Sequence, residues 1–119
     1  MDGQILEVLE ARHNFNENNG PRLAQTLVAH LYEVPLEDLR AVTRRGARAA
    51  FARQVAMYLM HVVYRLSLRE VATMFGRDPS TASHACHLIE DLRDDPRFDR
   101  KLVLLENLLH DATRIEVTV

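Results

Sequence analysis

A single cysteine, four glycines and four prolines are spread over 119 residues. One thiol cannot form an internal disulfide framework and suits a reducing compartment, so the cytoplasm is the expected location. No apolar run is long enough to span a bilayer, and the N-terminus, Met1-Asp-Gly-Gln4, has no basic signal-peptide start. Repeats and low-complexity tracts are missing. So is any catalytic triad or carboxylate pair on a defined turn, which argues against an enzyme. A chain of this length is one domain, large enough for a modest core without staples.

The net charge of −2 conceals a strong asymmetry. Residues 1–39 carry two arginines against seven acids, residues 40–84 eight arginines against two acids, and residues 85–119 five bases against eight acids. The middle is therefore basic and both flanks acidic, which suits one positively charged face on an otherwise acidic body. The other reading of such a run is a solvated charged surface.

The periodicity is helical through most of the chain. Residues 4–12 predict a short amphipathic helix. His13 to Pro21, rich in Asn and closed by Gly20-Pro21, reads as a loop. Residues 1–21 thus form an N-terminal segment, 22–113 the domain proper and 114–119 a tail, in which Ile115 to Val119 alternates like a strand. Helices are expected over Arg22–Tyr32, Leu36–Arg40, Ala47–Tyr64 and Asp99–Thr113, with a loop at Thr43–Gly46 and a connector at Arg93–Arg97. Ala47–Tyr64 is apolar round most of its girth and should be central. The apolar residues of the last helix cover more than one face and call for the core or another subunit.

The most informative stretch is Ser67 to Leu92. Ser67 can cap a helix, with Glu70 completing a capping box. Gly76 ends that helix in the left-handed conformation. Asp78 is a second N-cap, with Pro79 at the first helical position. Ala82, Ala85, Cys86, Ile89 and Leu92 then line one face, and Ser80, Ser83, His84 and His87 the opposite one. Two helices about a glycine turn, the second with small polar residues outward, are what a reader of the DNA major groove requires.

Together with Ala52-Arg-Gln-Val-Ala-Met-Tyr-Leu59, the stretch Gly76-Arg-Asp-Pro-Ser-Thr-Ala-Ser-His-Ala-Cys86 resembles the C-terminal DNA-binding domain (domain IV) of the bacterial chromosomal replication initiator DnaA, from about Leu27 to Leu109. The resemblance implies an all-α, Trp-repressor-like fold and binding to double-stranded DNA. It matches Arg53 to an arginine that the family places in the minor groove. It matches Asp78, Ser80, Thr81 and His84 to positions at the reading helix, and Arg44 and Arg45 to basic residues of the loop before the central helix. The chain departs from the family in having one glycine before Arg77-Asp78, Pro79 in place of a base-contacting histidine, and His87-Leu88 in place of Arg-Lys. These departures bear on the target sequence. No Gly-x-x-x-x-Gly-Lys-Ser/Thr loop occurs, so no nucleotide site is expected.

On this reading helix 79–92 enters the major groove. Arg44, Arg45 and Arg48 act on phosphates or in the minor groove, giving a log–log salt slope of about −3 to −5. Arg53 either joins them or forms a helix-surface ion pair. As a groove probe, Arg53→Ala would weaken DNA binding and leave the melting temperature nearly unchanged. Ser80, Thr81 and Ser83 hydrogen-bond to bases or phosphates, or Ser80 and Thr81 only cap their helix. Arg77 reaches a guanine or the DNA backbone, and Arg69 touches the backbone or stays in solvent. His84, Cys86 and His87 do not make a zinc site, because Cys86 points away and no other cysteine completes it. No cofactor is expected. The chain reads as a stand-alone DNA-binding protein, a transcriptional regulator or a competitor at initiator boxes, with a homodimer as one arrangement. The alternative is a helical protein-interaction module that has kept the fold and lost DNA reading.

Overall fold

The computed structural model describes residues 20–41 and 46–118, with side chains to residue 112. The helix expected over 4–12, most of the expected Asn-rich loop and all but Gly46 of the loop expected at Thr43–Gly46 lie outside them. Six helices follow in order: α1 Gly20–Leu31, α2 Leu36–Arg40, α3 Ala47–Tyr64, α4 Leu68–Met74, α5 Pro79–Leu92 and α6 Pro96–Thr118. The all-α expectation holds among the described residues, where no helix is long and apolar enough to cross a membrane.

Helix α3 is the axle. Every residue from Val55 to Met60 is buried, a continuous run that only a helix enclosed on all sides can show. Helices α1 and α5 make its most extensive contacts, and α2, α4 and α6 close the remaining sides. Met57, Leu59, Met60, Val71, Ile89 and Leu102 are fully buried in one cluster. Truncating one of them, such as Leu59→Ala, is expected to cost about 2–5 kcal/mol in lost transfer energy and cavity. At the far end of α3 the ring of Tyr64 lies against Gly20, where a Cβ would stand 2.6 Å from a ring carbon. Gly20 and Pro21, expected to close the loop, are already in α1.

Helix α3 stops at Tyr64 without a glycine. Arg65 takes the left-handed conformation at φ 56° instead, and the Nδ1–H of His61 donates to the Leu66 carbonyl at 2.7 Å. His61 thus ties the segment that leaves the helix back onto its last turn.

The helix-turn-helix forms as its residues dictate. Ser67 Oγ accepts from the Glu70 amide at 3.0 Å and starts α4. At the other end the Arg77 amide donates to the Ala72 carbonyl (2.9 Å) and the Gly76 amide to the Thr73 carbonyl (3.1 Å). This is a Schellman closure, with Gly76 at φ 64° supplying the left-handed residue. Pro79 then opens α5, whose Ala82, Ala85 and Ile89 turn into the core.

Helix α6 differs from expectation at both ends. It begins at Pro96, inside the expected connector, because the Asp95 carboxylate accepts from the Arg97 amide at 3.0 Å. It also continues through Thr118, so the strand-like alternation at 115–119 is corrected. No proline or glycine follows Pro96 to stop the helix, and five alternating residues do not outweigh a helix already propagating. Leu102, Leu105 and Leu109 pack inward, while Val103, Leu104 and Leu108 stay exposed. The core thus takes only one of the two apolar faces.

Candidate nucleic-acid interface

Helix α5 divides cleanly. Asp78, Pro79, Ser80, Thr81, His84 and His87 are exposed, and Ser83 is half-buried at the edge of the stripe. Asp78 holds the N-cap backbone position, yet its carboxylate makes no capping bond and faces solvent. An exposed carboxylate can accept from a base amino group, and the Ser80 and Thr81 hydroxyls can donate or accept. His87 Nδ1 bonds the Ser83 carbonyl at 3.0 Å. A carbonyl only accepts, so Nδ1 carries the proton in this bond. Cys86 is half-buried, and burial pushes its thiol up to about 11, far from the thiolate that metal binding needs.

The arginines separate into two groups. Arg48, in the first turn of α3, and Arg69, on α4, are exposed. Arg44 and Arg45 lie outside the described residues. Arg53 and Arg77 turn inward, against expectation. Only 7% of Arg53 is exposed, and its guanidinium donates to the Leu39 carbonyl at 2.7 Å and the Asp38 carbonyl at 3.1 Å. The expectation that Arg53 extends into a minor groove, or pairs on the helix surface, is corrected for this structure: the side chain caps the end of α2. Burial first, and the charge of Arg77 second, lower its pKa. It nonetheless stays protonated, as arginine does in proteins.

Arg77 is half-buried and donates to the Ala41 carbonyl at 2.7 Å. Its Nε is buried without a partner among the described residues. Arg77 thus lies against residue 41 in this structure, where the sequence reading has it extend to a guanine or the DNA backbone. Both guanidinium groups bond neutral carbonyls, so these bonds leave their positive charge uncompensated and the region keeps its basic character.

One residue that holds α5 in place escaped sequence reasoning. Arg93 bonds Asp99 at 2.6 Å, Glu106 at 2.9 Å and the Tyr58 hydroxyl at 3.0 Å, and it stacks on the Tyr58 ring at 5.8 Å. The Tyr58 hydroxyl donates in turn to Glu90 at 2.8 Å. Burial works against the Arg93 cation, but these partners outweigh it and hold its pKa above the ordinary value. The network ties the C-terminal end of α5 to α3 and α6, so this helix is anchored away from its exposed tip. The sequence signal was weak: Arg93 is one of two arginines, with Arg97, among Asp91, Asp94, Asp95 and Asp99.

A capped first helix, a glycine-closed turn and a second helix with an outward polar stripe define a helix-turn-helix protein. The family model described as the bacterial dnaA protein helix-turn-helix matches residues 21–89, and the chain belongs to that family. It is 34% identical over 95 residues to a chromosomal replication initiator protein DnaA of Acholeplasma laidlawii, covering 78% of this chain and 21% of that protein. With the DnaA of Brucella abortus it shares 40% over 89 residues, or 73% of this chain and 18% of that protein. The chain thus spans about a fifth of the length of these relatives. A crystal structure of a DNA replication initiation factor superposes with a TM-score of 0.74 at 31% identity, covering 87% of this chain and 32% of that one.

Proposed function

We propose that this chain binds double-stranded DNA, with α5 in the major groove and Asp78, Ser80, Thr81, Ser83, His84 and His87 toward the base edges. Arg48 and Arg69 meet phosphates, joined by Arg44 and Arg45 of the preceding loop. The observation that carries this reading is the outward polar stripe at the start of α5, set directly behind the Gly76 closure. The helix N-terminus adds a partial positive charge where a phosphate approaches.

The chain acts in the cytoplasm, at the nucleoid, as a transcriptional regulator or a competitor of the initiator at its boxes, and not as an enzyme. The exposed row Val103, Leu104 and Leu108 supports pairing of two copies, which light scattering tests. Fluorescence anisotropy with a short random duplex tests DNA binding itself. Affinity should fall steeply between about 50 and 200 mM salt, with a log–log slope of about −3 to −4 for four phosphate contacts. No binding at the low-salt end would reject the proposal and favour a protein-interaction module.

A further inference from the structure

We propose that Arg77 is a positioning residue for DNA reading: through the Ala41 carbonyl it fixes the start of α5 against segment 36–41, and it makes no contact with DNA itself. The inference deepens the DNA-binding reading and rests on it.

At the end of α2 the Asp38 carbonyl accepts from the C-cap Ala41 amide at 3.3 Å, and the carbonyls after it have no partner within the helix, as at every helix end. Two arginines from different elements supply donors. Arg53, on α3, takes the Asp38 and Leu39 carbonyls and so binds the segment to the core. Arg77, in the turn, takes the Ala41 carbonyl and binds the turn to the segment. A chain of contacts thus runs from α3 through residues 38–41 to the residue preceding Asp78. Helix α2 packs mainly on α1 and α3, so the Arg77 side chain brings the helix-turn-helix to it.

The inward pose has costs. It buries an Nε–H that has no partner among the described residues and places two guanidinium groups close enough that Arg77 disfavours the charged form of Arg53. Swinging out to solvent would relieve both. That Arg77 stays in points to a strong bond to Ala41, in line with a charged donor on a carbonyl at the end of a helix. Arg93 holds the other end of α5 through Tyr58, Asp99 and Glu106. The reading helix is thereby fixed at two points, and a docked helix needs both to keep one angle in the groove.

Arg77→Met tests the idea, with Arg77→Gln standing in if the first variant does not fold by circular dichroism. The probes are the best duplex that wild type selects from a random pool, and random duplex itself, both read in the cold by anisotropy. Binding to the selected duplex should weaken about tenfold, the size of one charged-donor bond. Random duplex should be bound within about twofold of wild type, because phosphate contacts are retained, and the salt slope should not change. Amide exchange at Leu39 and Ala41 should quicken without DNA.

A residue that served only overall stability would leave the affinity of the folded variant unchanged, and that result overturns the proposal. A slope smaller by about 1, with equal loss on both duplexes, makes Arg77 a phosphate contact and overturns it as well. Unchanged exchange at Ala41 removes the tether. Failure of the wild type to bind any duplex rejects the DNA-binding reading and the proposal together, and exchange then still shows separately whether the tether exists.

Discussion

Replacing Arg53 by alanine separates two accounts of the same residue. A groove probe, free in solution, would contribute nothing to stability, whereas the inward Arg53 holds the end of α2. Its Nε–Leu39 bond is short and buried; its Nη2–Asp38 bond is longer and shares that carbonyl with the Ala41 amide. Bonds from a charged donor contribute about 1.5–3 kcal/mol each, with the second at the low end. Relief of guanidinium burial and of repulsion from Arg77 offsets part of this. A net loss of about 2–3 kcal/mol follows, or a Tm lower by ~8–12 °C in a domain of this size. Arg53→Lys, with one compact donor group in place of the fork, should recover about half. Thermal and urea melts followed by circular dichroism give the numbers, with DNA affinity measured beside them in the cold. A Tm within ~2 °C of wild type, together with affinity reduced tenfold or more, would refute the reasoning: the inward pose would contribute no net energy and Arg53 would act on DNA.

Gly76→Ala should lower stability by about 1–2 kcal/mol in a urea melt, because φ 64° is strained for any residue with a Cβ, although nothing lies within 4 Å to clash with it. Arg93→Ala should lower it by ~2 kcal/mol, and Arg93→Lys should recover little, since one ammonium cannot serve Asp99, Glu106 and Tyr58 together. Cys86 should react slowly with iodoacetamide at pH 8 and rapidly once the protein is unfolded. As its folded pKa of about 11 lies above the unfolded value near 9.0, the unfolded state loses this proton first, so the Cys86 contribution falls as pH rises from 9.0 toward 11. A thiol equally reactive in both states would contradict its burial.

Much of the architecture was legible because its causes are local. Ser67, Gly76 and Pro79 each act within four residues of themselves, through a cap, a left-handed closure and a missing N–H, so they read the same in sequence and in structure. The central position of α3 followed from its all-round apolar surface, a property of the segment itself. The polar stripe from Ser80 to His87 was visible for the same reason, since helical spacing alone assigns its face.

What only the tertiary structure decided is where the long cations go. The Arg53 acceptor Leu39 lies 14 residues away, the Arg77 acceptor Ala41 36, and the Arg93 partner Tyr58 35. No periodicity encodes such separations. An arginine stem can lie along its helix and reach inward or extend into water, and the choice depends on whether another element brings an unpaired carbonyl or carboxylate within reach. The charge map of the chain could therefore locate the basic region, but only the folding of α2 against α3 and the turn divided its arginines between those that face solvent and those that hold the frame.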